Sequence, residues 1–316
     1  MAERVLVTGG AGFIGSHVAD RYVAEGYEVT VLDNLSSGRR ENVPAAATLV
    51  EADVRSPEAR ELLAGGGFAV LNHHAAQMDV RVSVQDPVFD ADTNVMGLLN
   101  LLEGARAGGV RRVVFASSGG VVYGESDALP HGESAPKLPV SPYGVSKLSS
   151  EYYLAAYGMV HGLETVALRY ANVYGPRQSP HGEAGVVAIF GSRLLAGQPL
   201  TVFGDGEQTR DYVFVGDVVN ANLAATRWSA PAVASLDDRA FNVGTATEVS
   251  VNTLARSMID AVGARAEVQH APARPGELLR SSVDFAKAKR ELGWRPQVAL
   301  AEGLKRTYDW LAGETA

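Results

Sequence analysis

Tyr143 and Lys147 are the two residues whose types and spacing most directly indicate chemistry. They lie four residues apart in the segment Ser-Pro-Tyr-Gly-Val-Ser-Lys, at the start of a predicted helix, and residues at that spacing share one helical face. A phenol titrates near pH ~10, and a nearby ammonium group favours its anion, so the pair could transfer protons at neutral pH. Most such pairs belong only to a solvated helix face, so this interpretation needs a second motif.

A glycine-rich segment near the N-terminus supplies that motif. A buried strand is predicted over Arg4 to Thr8, and a helix from Phe13 to about Glu25. The glycines between them allow a tight turn and let backbone N–H groups approach a pyrophosphate. A strand-to-helix turn without a ligand is the alternative interpretation. The predicted dinucleotide contacts in this loop are Gly9, Gly12, Phe13, Ile14 and Gly15.

Asp33 indicates which dinucleotide is bound. It ends a second predicted strand, Glu28 to Leu32, and follows Gly15 by eighteen residues. A carboxylate at this place suits a ribose diol and repels a ribose phosphate, which favours NAD over NADP. Arg39 and Arg40 leave a smaller opening for the phosphorylated form.

Apolar strands alternate with helical segments through the first half of the chain. Further strands are predicted at Thr48 to Glu51, Phe68 to Asn72 and Arg112 to Ala116, with helices over Val88 to Ala107 and Tyr143 to Val160. Such alternation implies a parallel sheet covered by helices on both faces. We therefore predict an α/β fold, a Rossmann-type doubly wound parallel sheet.

The pattern changes beyond Tyr170, where glycine and proline become frequent. We predict a Rossmann domain over residues 1–170. Residues 171–316 are expected to form mainly a smaller C-terminal substrate-binding lobe, with some segments returning to the Rossmann domain.

Composition narrows the class of protein. The chain has 316 residues, 46% of them hydrophobic, and a net charge of -8, which argues against a nucleic-acid surface. No apolar run is long enough to span a bilayer, and the first predicted strand starts too early for a signal peptide. The absence of cysteine favours the reducing cytoplasm. The seven histidines have no metal-ligand spacing, so no metal site is predicted, and the adjacent His73 and His74 are more often packed than ligand-binding.

Several motifs together resemble the extended short-chain dehydrogenases/reductases, most closely the UDP-glucose 4-epimerase family. The resemblance covers nearly the whole chain. Its motifs are the Gly9 to Gly15 loop, Asp53, His73-His74-Ala75-Ala76, Asn94, Ser117-Ser118, Val122-Tyr123-Gly124, Tyr143 to Lys147, Arg169 to Arg177, and Arg210-Asp211-Tyr212.

This resemblance implies a reaction and a cofactor set. NAD would stay bound, Tyr143 would remove the proton of the sugar's 4-hydroxyl group, and Lys147 would lower the tyrosine pKa and hold the nicotinamide ribose. The resulting 4-keto sugar would turn over in the site and take the hydride back on its other face. Besides the glycine loop, the implied cofactor contacts are Asp33, Asn34, Asp53, Val54, His74, Ala75, Ala76, Asn94, Ser117, Tyr143, Lys147 and Tyr170.

The resemblance also implies a UDP-sugar substrate and a homodimer. Asn172, Arg210 and Arg274 resemble the diphosphate-binding residues of the family, and Ser281 would lie beside the sugar's 2-substituent, where a small residue admits N-acetyl sugars. The remaining implied substrate contacts are Val186, Val187, Thr201 and Phe203. Helices near Val88 to Ala107 and Tyr143 to Val160 would form the dimer contact.

One position departs from the family pattern. Gly119 stands where such epimerases usually place a hydroxyl residue, so Ser118 or a water would replace it as a catalytic partner of Tyr143. Gly120 and Val121 occupy the places where related dehydratases and decarboxylases carry acidic residues, which puts those activities below 4-epimerisation. A UDP-glucuronate 4-epimerase and a non-catalytic NAD-binding sensor remain as alternatives.

Overall fold

The computed structural model describes residues 2–180, 185–273 and 278–315. Its strands are β1 (Arg4–Thr8), β2 (Glu28–Asp33), β3 (Thr48–Glu51), β4 (Val70–His73), β5 (Arg112–Ser118), β6 (Glu164–Tyr170), β7 (Asn172–Tyr174), β8 (Leu200–Phe203), β9 (Thr209–Arg210), β10 (Tyr212–Phe214), β11 (Ala240–Val243), β12 (Val249–Ser250) and β13 (Val268–Ala271). Its α-helices are α1 (Phe13–Ala24), α2 (Pro57–Gly65), α3 (Val80–Gln85), α4 (Pro87–Ala91), α5 (Gly97–Ala107), α6 (Pro142–His161), α7 (Val186–Leu195), α8 (Val215–Arg227), α9 (Val251–Val262), α10 (Ala286–Glu291) and α11 (Leu300–Thr315).

Seven strands form a parallel sheet in the order β11-β6-β5-β4-β1-β2-β3. The apolar run of β1 explains why this sheet is covered on both faces. Val5 and Val7 pack with α1 and α8 on one side, whereas Leu6 packs with α2 and α5 on the other, and all three are fully buried. A strand buried on both faces needs a helix layer on each, so the predicted doubly wound α/β fold is confirmed.

The predicted strands match closely, with shifted ends. β2 includes Asp33, β5 continues to Ser118, and β4 starts at Val70 rather than Phe68. Phe68 is instead buried beneath the guanidinium group of Arg4, which lies 4.8 Å from its ring centroid, so it serves packing before the strand begins.

The prediction of one uninterrupted helix over 88–107 is wrong. The segment contains α4, then a π-helical turn over Asp92–Met96, then α5. Polar contacts stabilise this turn, since the side chain of Asn94 bonds back to Gln77 and Asp90, and its carbonyl accepts a hydrogen bond from Ser150 on α6. Such π turns are frequent at functional sites.

The smaller lobe is built from short strand pairs and three helices. β7 pairs with β10, β8 with β13, and β9 with β12. Helices α7, α9 and α11 enclose its core, which contains Phe190, Val202, Leu254, Met258 and Leu304. β11 lies between β10 and β12 in the sequence, but it pairs with β6 and so belongs to the large sheet.

Candidate active site

The candidate site lies at the carboxyl ends of β1, β4, β5 and β6. The order of the strands reverses between β1 and β4, and in parallel sheets ligands bind in the crevice that this reversal creates. Gly9, His74 and Gly119 follow directly after three of these strands, and Tyr170 ends the fourth. The sheet therefore brings together motifs that are more than 150 residues apart in sequence, as 170 minus 9 gives 161.

The glycine loop between β1 and α1 has the shape that a dinucleotide diphosphate requires. Gly9 has a φ of +67°, and a Cβ there would lie 2.6 Å from the backbone nitrogen of Ala75. A Cβ on Gly15 would lie 2.2 Å from the carbonyl oxygen of Gly9. Gly12 is the N-cap residue just before α1 and provides no side-chain cap, so the helix N-terminus is open to an anion. These residues fit the diphosphate group of NAD.

Asp33 is oriented for a ribose by two backbone contacts. Its Oδ2 accepts a hydrogen bond from the N–H of Ala11 at 3.0 Å, and its Oδ1 accepts one from Leu35 at 2.9 Å. Each carboxylate oxygen retains a further lone pair for a ribose hydroxyl group. Arg40 pairs with Glu51 at 2.6 Å, so its charge is already balanced and offers less to a ribose phosphate. The geometry agrees with a preference for NAD.

Asn34, Asp53 and Val54 lie together beyond the ends of β2 and β3. The amide of Asn34 donates to Asp53 at 3.1 Å, and Arg55 binds both oxygens of that carboxylate. This arginine holds the pKa of Asp53 at about 2, well below its usual range, so the group is an anion at any working pH. Val54 is buried.

Lys147 is a buried ammonium group beside the ring of Tyr143. Its Nζ lies 5.7 Å from the Tyr143 ring centroid and donates to the carbonyl oxygen of Ala116 at 2.8 Å. Helix α6 begins just before the pair because Ser141 caps the N–H of Gly144. Burial lowers the pKa of Lys147 to about 8, against the opposing effect of the Asp90 and Glu151 carboxylates.

The serines at the end of β5 have different environments. Ser117 donates its hydroxyl hydrogen to the buried carboxylate of Glu151. A Cβ built on Gly120 would lie 3.8 Å from the Ser118 hydroxyl oxygen and 3.9 Å from Oδ1 of Asn172. Ser118 and Asn172 thus border the same space, which joins the sheet to the smaller lobe.

Gly119 is confined by packing. A Cβ there would lie 2.8 Å from Val283 and 3.1 Å from the carbonyl oxygen of Arg169. Its N–H donates to Tyr170 at 2.8 Å. A hydroxyl side chain at position 119 would require Val283 to move, so Ser118 is the hydroxyl group that this backbone offers.

His73 ends β4 as a neutral, buried ring, and His74 follows it as a neutral, half-buried ring. Burial lowers the pKa of each to about 3, and the charge of Lys147 lowers it further. His73 bonds to the Thr8 hydroxyl group at 2.6 Å, and His74 stacks on Tyr170 at 6.3 Å between ring centroids. Both are therefore packed residues, and the described part of the chain contains no His, Asp or Glu cluster able to bind a metal ion.

Two further predicted cofactor contacts are engaged within the protein. The amide group of Asn94 is shared between Gln77 and Asp90, and the hydroxyl group of Tyr170 accepts a hydrogen bond from Asn222 at 2.8 Å. Ala75 and Ala76 follow directly after the histidines, and the Ala75 N–H donates to the Thr8 hydroxyl group.

The predicted substrate residues are distributed over the smaller lobe. Asn172 begins β7 and is exposed, whereas Arg210, at the end of β9, donates to the neighbouring carbonyl of Thr209. Thr201 accepts a hydrogen bond from Arg193, and Arg274 lies outside the described residues. Phe203 ends β8, and Val186 and Val187 begin α7, where Val187 is buried in the lobe core.

Asp211 connects Arg210 to the segment of Ser281. Its buried carboxylate accepts hydrogen bonds from the backbone of Thr245, Ala246 and Val283. Ser281 is itself 93% buried, with 7% of its surface exposed. The Arg210-Asp211-Tyr212 motif revealed this residue, but its anchoring role depends on tertiary contacts.

The parallel sheet, the glycine loop and the Tyr143–Lys147 pair define a Rossmann-type dinucleotide-binding enzyme. The chain belongs to the NAD dependent epimerase/dehydratase family, whose model matches residues 5–244. It is 48% identical to the UDP-glucose 4-epimerase of Mycolicibacterium smegmatis over 99% of each chain.

Two solved structures are similar over nearly their whole length. A UDP-glucose 4-epimerase of Thermotoga maritima, solved with UDP-glucose, is 44% identical with a TM-score of 0.94, covering 99% of this chain and 100% of that one. A Thermus thermophilus UDP-glucose 4-epimerase in complex with NAD is 46% identical with a TM-score of 0.89, covering 98% and 99%. The predicted family is therefore confirmed.

No helix in the described residues is long and apolar enough to cross a membrane.

Proposed function

We propose that this chain is an NAD-dependent 4-epimerase that interconverts UDP-glucose and UDP-galactose. The observation that carries the proposal is the buried Lys147 beside Tyr143 at the carboxyl edge of a sheet whose first loop fits a dinucleotide. Relatives that cover almost the whole chain bear this activity in their names, and one was solved with UDP-glucose. UDP-sugars are accordingly the proposed substrates.

The residues of the chain divide the work of the reaction. Gly9, Gly12 and Gly15 would hold the diphosphate of NAD, and Asp33 its adenine ribose. When bound, NAD supplies a reversible hydride acceptor for carbon 4 of the sugar. Tyr143 takes the proton of the 4-hydroxyl group, and Lys147, when charged, stabilises the phenolate that performs this step.

The pocket must release the sugar ring for rotation and still retain the substrate. Affinity therefore has to come from groups remote from the reacting carbon. We assign the diphosphate to Asn172, Arg210 and Arg274, and place the division between the two functional regions near residue 170. Ser281, a small side chain, is proposed to admit an N-acetyl group, so UDP-GlcNAc and UDP-GalNAc are further candidate substrates.

A homodimer is the proposed assembly, formed through α6 and its neighbours. Val145, Tyr152 and Met159 are seven residues apart, so they share one face of α6, and they are 50%, 59% and 56% exposed. On the adjacent α4, Val88 is 77% exposed. Light scattering on the purified protein tests this assembly. The cytoplasmic location remains a prediction from the lack of cysteine.

Incubation with a panel of UDP-sugars, followed by separation of the 4-epimers, tests the function. We expect UDP-galactose and UDP-glucose to equilibrate from either side. A Tyr143→Phe protein is the matched control, because it removes only the phenolic oxygen. Formation of a 4-keto-6-deoxy sugar or a pentose would instead indicate a dehydratase or a decarboxylase.

A further inference from the structure

Two buried carboxylates influence the charge of Lys147, and they come from different helices. Asp90 belongs to α4 and is 0% exposed, whereas Glu151 lies one turn after Lys147 on α6 and is 2% exposed. Lys147 itself is 4% exposed. Both anions favour the charged lysine, against the effect of burial. Their own hydrogen-bond partners separate their roles.

Glu151 is already paired with a cation. Its oxygens accept three hydrogen bonds from Arg169, at 3.0, 3.1 and 2.6 Å, and one from the hydroxyl group of Ser117. The side chain of Arg169 is 0% exposed, so this pair is enclosed in the protein. Since the guanidinium group largely balances the charge of Glu151, little of it remains for Lys147.

Within the part of the chain that the structure describes, the hydrogen bonds that Asp90 accepts come from neutral groups. Gln77 and Asn94 donate to Oδ1 at 2.8 and 3.0 Å, and the Ser146 hydroxyl group donates to Oδ2 at 2.6 Å. Burying a carboxylate is costly unless a nearby cation compensates its charge. Ser146 directly precedes Lys147, so this contact brings the carboxylate against the turn of α6 that carries the lysine.

No other titratable group described around Lys147 can supply the positive charge that compensates the buried Asp90 carboxylate. His73, which ends β4, and the following His74 are neutral, as described above, and Tyr143 is the proposed proton acceptor. Arg169, on β6, is committed to Glu151 and also binds Asp237. Among the described residues, Asp90 is thus the one anion influencing Lys147 whose hydrogen-bond partners include no cation.

We propose that Asp90 is a positioning residue, the buried counterion that keeps Lys147 in its charged form. The proposal rests on the proposed function, because it concerns the lysine that stabilises the Tyr143 phenolate. This role of Asp90 explains the contacts of Asn94 in the π-helical turn. They orient Asp90, and the turn lets this amide reach both Gln77 and the carboxylate.

The test combines a direct titration with a pH profile. The chain has five lysines, so selective ¹³C labelling at lysine Cε gives few NMR signals, and loss of one signal in Lys147→Met assigns Lys147. In the purified holoenzyme, Asp90→Asn should lower the titration midpoint of Lys147 by about one pH unit, as expected for loss of a close opposite charge. The alkaline limb of kcat/KM should move down by the same amount.

Asp86→Asn is the matched control. Asp86 caps the N–H of Phe89 at the start of the same helix, is exposed, and can be replaced by asparagine without losing the cap. It should leave both midpoints unchanged. Should Asp90→Asn fail to fold, Asp90→Ser removes the same charge and keeps a hydroxyl group for Asn94 and Ser146.

An unchanged Lys147 midpoint in the folded Asp90 variant would overturn the proposal, even if the melting temperature fell, because a purely structural residue gives that result. The NMR titration does not depend on turnover. A wild-type protein that epimerises no UDP-sugar would therefore refute the proposed function alone, whereas the titration would still decide the role of Asp90.

Discussion

The large sheet and the smaller lobe hold their functional groups in different ways. In the sheet, Gly9, Lys147 and Ser118 occupy the ends of buried strands or a long capped helix, and backbone contacts fix them. In the lobe, Arg210 and Ser281 lie on strands and segments of only a few residues, which the Asp211 carboxylate joins. Burial raises the pKa of Asp211, and its hydrogen bonds from Thr245 oppose this.

This difference assigns separate functions to the two regions. Groups on a rigid scaffold can keep the geometry that proton and hydride transfer require. Short segments tied by a single carboxylate can vary without disturbing the sheet. Changes in the sheet should therefore affect turnover, whereas changes in the lobe should affect which sugar is accepted.

The largest effect is expected at Tyr143. Tyr143→Phe should lower kcat by at least ~100-fold while KM and the affinity for UDP change little, because a general base acts in the transition state. Steady-state kinetics and calorimetry with UDP measure both quantities. Near-normal turnover would remove Tyr143 from the mechanism and end the division of roles between the regions.

Cofactor retention should depend on the close approach at Gly9. In Gly9→Ala the new methyl group would collide with the backbone of Ala75, so the NAD released from denatured protein should fall by ~10-fold or more, a loss of about 1.4 kcal/mol or more in binding. Gly26→Ala is the control: its φ is +84°, but nothing lies within 4 Å. If Gly9→Ala retained as much NAD as Gly26→Ala, the close approach at Gly9 would not govern cofactor retention.

Variants at Ser281 test whether the smaller lobe selects the sugar. Ser281→Tyr should reduce kcat/KM for the UDP-GlcNAc and UDP-GalNAc pair by ~10-fold or more through steric overlap, with a smaller effect on UDP-glucose and UDP-galactose. Ser281→Ala serves as the control, because it removes the hydroxyl group without narrowing the pocket. An equal loss for both pairs would mean that this residue does not select the sugar.

Ser118 should give the smallest effect. Ser118→Ala should lower kcat by about tenfold, less than Tyr143→Phe, because a water can replace one hydroxyl group near Gly120. A loss as large as that of Tyr143→Phe would make Ser118 an obligatory member of the proton path.

The sequence predicted most of the fold because its signals are local. The apolar run of β1, the glycine loop and the helix start beside Tyr143 depend on neighbouring residues, and the structure has each of them. The π-helical turn was missed, since it forms through contacts of Asn94 with Gln77 and Ser150, and the latter is 56 residues away.

The site was harder to predict from the sequence, because its key contacts join residues that are far apart in the chain. Glu151 could have been found, because it follows Lys147 by one helical turn. Asp90 gave no such signal, as its approach to Ser146 spans 56 residues. The confinement of Gly119 depends on Val283, which reaches β5 from the far end of the chain.

The most direct test of the account follows the hydrogen on carbon 4. UDP-galactose carrying deuterium at that carbon is converted by the purified holoenzyme in ordinary water, and the UDP-glucose formed is analysed by NMR and mass spectrometry. Because the hydride should leave and return within one closed site while Tyr143 moves only the hydroxyl proton, the account predicts full retention of deuterium at carbon 4. Replacement of that deuterium by solvent hydrogen would contradict it.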